Sequence, residues 1–280
     1  WFTALKDDAR EDERAALKIW PDGTRLGPWR IDGIIGVGGM GVIYAAHRAD
    51  GLYEREVALK TVRPELMSPA LRDAFAKERS HLARLEHPSI VALHDAGVEN
   101  DEQPWIAMQR VHGEPIDVWC DTRNADLRTR VRLLIQVCDA VAYAHAHGVL
   151  HQDVKPSNLL VNEDGNVKLL DFGLSAMRAP HADGGFARIG VSAAYAAPEI
   201  FEGAPPSVAI DVYALGAVLY RLLCDDWPYA PMSLPLPAPR TADAAMPASE
   251  RALSRPDCSA RKRGCRDARR LSHALAGDLD

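Results

Sequence analysis

The sequence predicts an α+β protein, β-rich in its first half and mainly helical in its second. Three observations carry this reading. Residues from about 29 to 60 fall into three apolar stretches, WRIDGIIG, GVIYAAHR and REVALKTV, punctuated by glycines as antiparallel strands are. Residues 128–148, RTRVRLLIQVCDAVAYAHAHG, read as a long apolar helix closed by Gly148. Residues 209–223 form a second apolar run that contains Asp211 and Arg221. It is too short to span a bilayer and reads as a buried helix. The 280 residues suffice for one large domain of two lobes or for two modest domains.

The elements follow in order. Residues 4–20 are rich in alanine, leucine and charge and predict a surface helix, which PDGTRLGPW at 21–29 breaks. Asp50-Gly51 marks a hairpin within the strand region. Residues 69–86 set Leu71, Phe75, Leu82 and Leu85 on one side of a helix that His87-Pro88 ends. Short strands are expected at about 90–94 and 105–109. After the helix at 128–148 and a loop at 151–158, LLVNEDGNVKLLDFG reads as a hairpin turning at Asp164-Gly165. The Pro- and Ala-rich stretch 228–250 suggests a linker or long loop. The basic run RKRGCRDARR at 261–270 is expected to be the solvated face of a surface helix, with binding of acidic partners or lipid as the alternative. There are no internal repeats.

Bulk chemistry narrows the function classes. Hydrophobic residues make up 47% and charged residues 26%, a globular profile. A net charge of −6 gives no reason to expect nucleic acid or an anionic membrane, so a polyanion would have to be held by a local site. Cys120, Cys138, Cys224, Cys258 and Cys265 form no CxxC pair. An odd, scattered set suits reduced thiols and a cytoplasmic setting better than a disulfide framework. No signal peptide is visible. The sequence starts at Trp1 and reads as a fragment, which leaves tethering through a missing segment open.

Four short motifs carry chemistry. GVGGMG (Gly36, Val37, Gly38, Gly39, Met40, Gly41) lies between two strands, where glycines let backbone N–H groups approach phosphate. A dinucleotide-binding fold would need a helix after the last glycine, and here a strand follows. VALK ends in Lys60, an ammonium that a strand can place on phosphate oxygens, and Glu78 on the next helix can pair with it. HQDVKPSN gathers an acceptor (Asp153), a cation (Lys155) and a neutral metal ligand (Asn158). DFG supplies a second metal contact through Asp171. Taken singly, each has an ordinary explanation: a tight turn, a surface lysine, a turn-forming loop, a common tripeptide. In this order, with Asn158 and Asp171 joined by one hairpin, they form the protein-kinase signature.

With HPSI, AAPE and DVYALG added, residues from Gly27 to about 229 resemble the eukaryotic-like serine/threonine protein kinases of bacteria. The resemblance implies two lobes, β-rich then helical, with ATP and Mg2+ in the cleft between. It divides the chain into a helical extension at 1–26 and a kinase domain at 27–280, with the N-lobe about 27–111 and the C-lobe about 112–280. It implies that Lys60 contacts the α/β-phosphates and pairs with Glu78. Asp153 would orient the substrate hydroxyl as catalytic base, and Lys155 would stabilise the γ-phosphoryl. Asn158 and Asp171 would hold Mg2+. Ile35 and the glycine loop would cover the phosphates. Ile43, Ala58 and Leu160 would sandwich the adenine, with Met108 at the back of the pocket and Gln109 to Val111 as the hinge. Leu82, Leu93, His151 and Phe172 resemble the family's internal apolar stack, and Asp211 its buried brace for the catalytic loop. The implied partner is a protein carrying Ser/Thr hydroxyls, the chain itself among them.

Gln152 stands where many of these kinases carry an arginine that pairs with a phosphate on the activation loop. Between Asp171 and Pro198 the only hydroxyl residues are Ser175, Ser192 and Tyr195, and the first two are poorly placed as the usual phosphosite. The expectation is a kinase that does not depend on loop phosphorylation. The family also places further helices after DVYALG, with an arginine for Glu199. That arginine has no clear counterpart, and HALAGDLD resembles the start of those helices. An incomplete C-lobe, less stable than a whole one, is therefore expected. A nucleotide-binding pseudokinase remains the alternative, with Lys60, Asp153, Asn158 and Asp171 as the discriminating residues. A small-molecule phosphotransferase is a third reading, against which AAPE and DVYALG argue.

Overall fold

The computed structural model describes residues 19–38, 41–62, 85–99, 103–172, 194–201, 203–228 and 245–277. Six strands, β1 (Arg25–Leu26), β2 (Trp29–Gly38), β3 (Gly41–Arg48), β4 (Glu56–Val62), β5 (Leu93–Glu99) and β6 (Gln103–Gln109), make an antiparallel sheet in the order β1-β2-β3-β4-β6-β5. Burial alternates at the start of β2, with Trp29 and Ile31 inward and Arg30 and Asp32 outward, as the strand period of two requires. β4 lies between β3 and β6 and is buried from Val57 to Val62 without a break. Its two faces feed separate clusters. Leu26, Trp29, Tyr44, Leu59 and Trp105 pack on one side, and Ala58, Val62, Ala96, Ile106 and Met108 on the other. Gly41 opens β3 at φ +151°, where a Cβ would run into the Thr61 carbonyl oxygen of β4. Only glycine permits that approach.

The last residues of the helical extension expected over 1–26, from Ile19 on, are not helical. β1 pairs with the start of β2, and Leu26 is buried. The Trp20 backbone N–H donates to the Tyr44 hydroxyl at 2.9 Å, which fastens this segment to β3. Residues 1–18, and the expected helix as far as residue 84, lie outside the described residues.

A second sheet, β7 (Gly113–Pro115), β8 (Leu159–Asn162) and β9 (Val167–Leu169), leads into the helical half. The expected hairpin is β8–β9, turning through Gly165 at φ +77°. The helices are α1 (Ile116–Thr122), α2 (Leu127–Ala146), α3 (Pro198–Phe201), α4 (Val208–Cys224), α5 (Ala248–Leu253), α6 (Asp257–Arg261) and α7 (Ala268–Leu275). Asp126 caps α2 by accepting the Thr129 N–H at 2.8 Å. Gly148 at φ +75° follows its end. Leu133, Val137, Ala140 and Val141 of α2 share a core with Ala214, Leu215, Val218 and Leu222 of α4. No described helix is long and apolar enough to cross a membrane.

Three expectations change. The strand expected at 90–94 splits in two. Ser89 and Val91 exchange backbone hydrogen bonds with Leu169 of β9, at 2.7 and 3.1 Å, and β5 begins only at Leu93. Apolar pattern marks extended chain but not the neighbour it pairs with. The loop expected over 228–250 gives way to α5 at Ala248. The basic run at 261–270 is not one solvated helix. α6 ends at Arg261, the chain turns through Gly264 at φ +74°, and α7 starts at Ala268. Within it Arg263 is only 2% exposed and Lys262 donates to Asp121 at 3.1 Å.

Candidate active site

Strand register brings the first group of candidate residues together. Across β3 and β4, Ile43 stands opposite Lys60; across β4 and β6, Ala58 stands opposite Met108 and Val57 opposite Gln109. Alternate residues share a face, so Ile43, Ala58 and Met108 pack in one apolar cluster with Lys60 on the same side. Lys60 is 5% exposed. Gly36 lies opposite Ile43, and Gly38 opposite Gly41 at the open end of the β2–β3 ribbon, with Ile35 exposed nearby. The Val37 side chain faces away from these residues. It packs with the outer Leu26–Trp105 cluster, because the same alternation that turns Ile43 inward turns Val37 away. Its backbone, not its side chain, belongs to the loop. The Gln109 N–H donates to Ala92 at 2.8 Å. Val111 follows half-buried, and Leu160 on β8 stands opposite Pro115. Gly39, Met40, Glu78, Leu82, Ser175 and Ser192 lie outside the described residues.

The polar residues converge from distant parts of the chain. Lys60 Nζ donates to Asp171 Oδ2 at 2.7 Å. Burial opposes ionisation of the Asp171 carboxyl, but the Lys60 ammonium outweighs it and holds the group below the usual carboxylate range. Asp171 takes a left-handed backbone, φ +62°, two residues past the end of β9. On the neighbouring loop, Lys155 Nζ lies 2.8 Å from Asp153 Oδ2. The Asn158 amide donates to the Asp153 carbonyl at 2.9 Å and to its carboxylate at 3.3 Å. The 3-10 turn Pro156–Asn158 leads straight into β8, and the Leu170 N–H donates to the Asn158 carbonyl at 2.8 Å. Asn158 and Asp171 are thus fixed at one end of a single hairpin. Behind them a cavity of about 30 Å3, lined by Leu93, Ile106, Met108, Asp171 and Phe172 among others, has room for one water.

His151 and Asp211 hold the loop from beneath. The Asp211 side chain is fully buried and accepts three bonds, from the His151 N–H at 2.8 Å, the Gln152 N–H at 2.6 Å and His145 Nε2 at 2.7 Å. Gln152 is bent to φ +60° by this grip. His145, the final partner on α2, had no sequence signal: nothing local distinguishes it from His147, and Asp211 lies 66 residues away. His151 Nε2 faces the Leu170 carbonyl at 2.8 Å and Nδ1 accepts the Asp153 N–H at 3.2 Å, which fits the neutral ring with its proton on Nε2. Its ring also packs edge-on to Phe172, centroids 4.7 Å apart.

Burial lowers the His151 pKa below the ordinary 6.5. The unfolded chain therefore takes up a proton there that the folded one does not, and stability rises with pH until about 6.5 is passed. A thermal melt series from pH 5 to 7.5 is expected to show this slope, and His151→Gln to flatten it. An equally steep slope in the variant would assign the dependence to other groups.

Comparison with known proteins adds a further observation. Residues 29–236 match the protein kinase domain family. A probable serine/threonine-protein kinase of Corynebacterium efficiens is 38% identical over 208 residues, covering 70% of this chain and 30% of that protein. The DNA damage-responsive serine/threonine-protein kinase RqkA of Deinococcus radiodurans is 34% identical over 251 residues, covering 82% of this chain and 36% of its own length. The chain spans about a third of the length of such relatives. The crystal structure of the Mycobacterium tuberculosis PknI kinase domain superposes with a TM-score of 0.63 at 26% identity, over 92% of this chain and 98% of that one. An antiparallel sheet over a helical half, a lysine–aspartate pair spanning them and a match over most of the length lead to one assignment: the chain belongs to the protein kinase domain family.

Proposed function

We propose that this domain is a serine/threonine protein kinase that transfers the γ-phosphoryl of Mg-ATP to protein hydroxyls. The observation that carries the reading is the convergence of two ion pairs, Lys60–Asp171 and Lys155–Asp153, with Asn158 bonded to Asp153. Bound Mg-ATP supplies the phosphoryl group and a metal that neutralises its developing charge. In this reading Lys60 grips phosphate oxygens, and Ile43, Ala58, Met108 and Leu160 form the apolar seat for the base. The donor set suits Mg2+, which takes one or two protein oxygens and completes its shell with phosphate and water. Asp171 offers a carboxylate. Asn158, whose Nδ2 is engaged with Asp153, offers its Oδ1. Asp153 accepts the hydroxyl proton, and Lys155, now held against Asp153, swings its charge to the transferred group. Transfer from labelled Mg-ATP to a generic Ser/Thr protein substrate tests the proposal; nucleotide binding with no transfer to any acceptor would favour a pseudokinase instead.

The same reading extends to regulation. Gln152 keeps its backbone on Asp211, yet its uncharged amide offers no counter-charge to a phosphate on the following loop. Phosphatase treatment of active protein is therefore expected to leave the turnover number unchanged, and Gln152→Arg to create a dependence that is absent without it. A stoichiometric loop phosphate, seen by mass spectrometry, whose removal abolishes activity would reject this regulatory proposal.

A further inference from the structure

At the C-terminal end of α4 the balance of charge and hydrogen bonding is uneven. Four guanidinium groups close on two carboxylates. Arg221, Arg255 and Arg263 lie 3.2, 3.5 and 3.7 Å from Asp225, and Arg251 and Arg255 lie 3.7 and 3.3 Å from Asp226. Donors also outnumber acceptors. The Nε atoms of Arg251, Arg255 and Arg263 are all buried and have no hydrogen-bond partner among the described residues. A buried donor left unmet is costly, and three in one cluster call for an explanation.

Arg221, Arg263 and Asp225 also border a half-open cavity of about 240 Å3, lined as well by Asp117, Asp121 and Arg130. This is room for several waters or for one phosphate-sized group. Arg130 is a fixed wall, fully buried, with its N–H groups spent on Asp121 and on the carbonyls of Ala125, Leu222 and Lys262. Arg263 is different. Nη1 donates to Ser259, Nη2 reaches only as far as the Arg221 carbonyl at 3.5 Å, and Nε is unmet. Burial first, and Arg130 nearby, bring its pKa down to about 10 against the opposing pull of Asp121 and Asp225. On the outer side Arg221 lies 4.4 Å over the Trp227 ring, which fixes its direction.

We propose that this junction of α1, α4 and the 251–263 segment is an oxyanion site that takes one phosphate- or carboxylate-bearing group among Arg221, Arg251, Arg255 and Arg263. Water can accept from one Nε at a time but brings no charge. An oxyanion brings acceptors on several sides and the missing negative charge together. The site shares no residue with the Asp153–Asp171 cluster, so it stands whether or not the kinase reading does.

Equilibrium dialysis of the full chain against labelled inorganic phosphate, with ionic strength held by chloride, tests it. Saturable binding is expected. It should weaken by about tenfold or more in Arg251→Gln/Arg255→Gln, which removes two charge-assisted donors at partly exposed positions. Asp226→Asn releases the same two arginines and should act oppositely, tightening binding. Lys60→Ala, which alters the other phosphate-attracting centre, should leave the binding intact. Competition separates the sources: a phosphoserine or aspartyl peptide that displaces phosphate marks a group carried on a chain, whereas displacement by free anions alone marks a small-molecule site. Absence of saturable binding, or binding that Lys60→Ala removes and the arginine pair does not, would overturn the proposal.

Discussion

Asp153→Ala is expected to lower the rate of phosphoryl transfer by about 10²–10⁴-fold, the usual contribution of a positioned general base. At roughly 1.4 kcal/mol per tenfold this corresponds to about 3–5 kcal/mol of lost transition-state stabilisation. Stability should fall without collapsing. The Lys155–Asp153 pair is mostly buried, its side chains 18% and 15% exposed, and Asn158 also donates to the Asp153 carboxylate, so the loss exceeds that of a surface pair and is about 1–3 kcal/mol. At roughly 2–4 °C per kcal/mol for a chain of this size, the melting temperature falls by up to about 10 °C. The KM for ATP should change little, because Lys60 and Asp171 remain paired on the opposite side of the cleft. Asp153→Asn keeps the shape but removes the negative charge that both accepts a proton and holds Lys155, and should be nearly as slow. Rates measured alongside melts separate chemistry from folding. A variant that keeps more than about a tenth of the rate would remove Asp153 from the role assigned to it.

Local pattern made much of this molecule legible. Strand alternation and glycine placement define β2 to β4, and the spacing between Asn158 and Asp171 requires a hairpin whose two ends meet. Once Lys60 is on a buried strand and Asp171 at the end of that hairpin, their meeting follows, although 111 residues separate them. What stayed hidden depends on partners rather than on pattern. Ser89–Val91 is extended like any apolar run, but it bonds to β9 and not to β6. Val37 sits inside the glycine motif, yet it faces the outer cluster. Arg263 lies in a basic run that resembles a solvated helix face, and it is buried because Asp225 and Ser259 are within reach. Burial of a charge is decided by three-dimensional neighbours, and composition does not record them.

Asp211 gives the second large effect. Its two oxygens serve three donors: Oδ1 takes the Gln152 N–H, and Oδ2 takes both the His151 N–H and His145 Nε2. Asp211→Ala leaves all three without an acceptor inside the core, and a loss of about 3–5 kcal/mol is expected. That is a large part of the 5–15 kcal/mol that holds a typical domain together. Asp211→Asn is the more informative variant. One amide oxygen can still serve His145 and His151, but its NH2 then faces the Gln152 N–H, donor against donor. The loop is released where its backbone is least comfortable, at Gln152 with φ +60°. Turnover should therefore fall while KM for ATP holds, since the displaced group is the Asp153 loop and not the Lys60 strand. Gln152→Gly supplies the control. Glycine adopts that conformation without the cost of about 1–3 kcal/mol that other residues bear there. In the Asp211→Asn background it is expected to recover about 1 kcal/mol of stability and part of the turnover, measured by melts and by initial rates. If Asp211 were only a packing residue, Gln152→Gly would add the same stability in the Asp211→Asn background as in the unaltered chain; a backbone brace predicts a larger gain in the Asp211→Asn background.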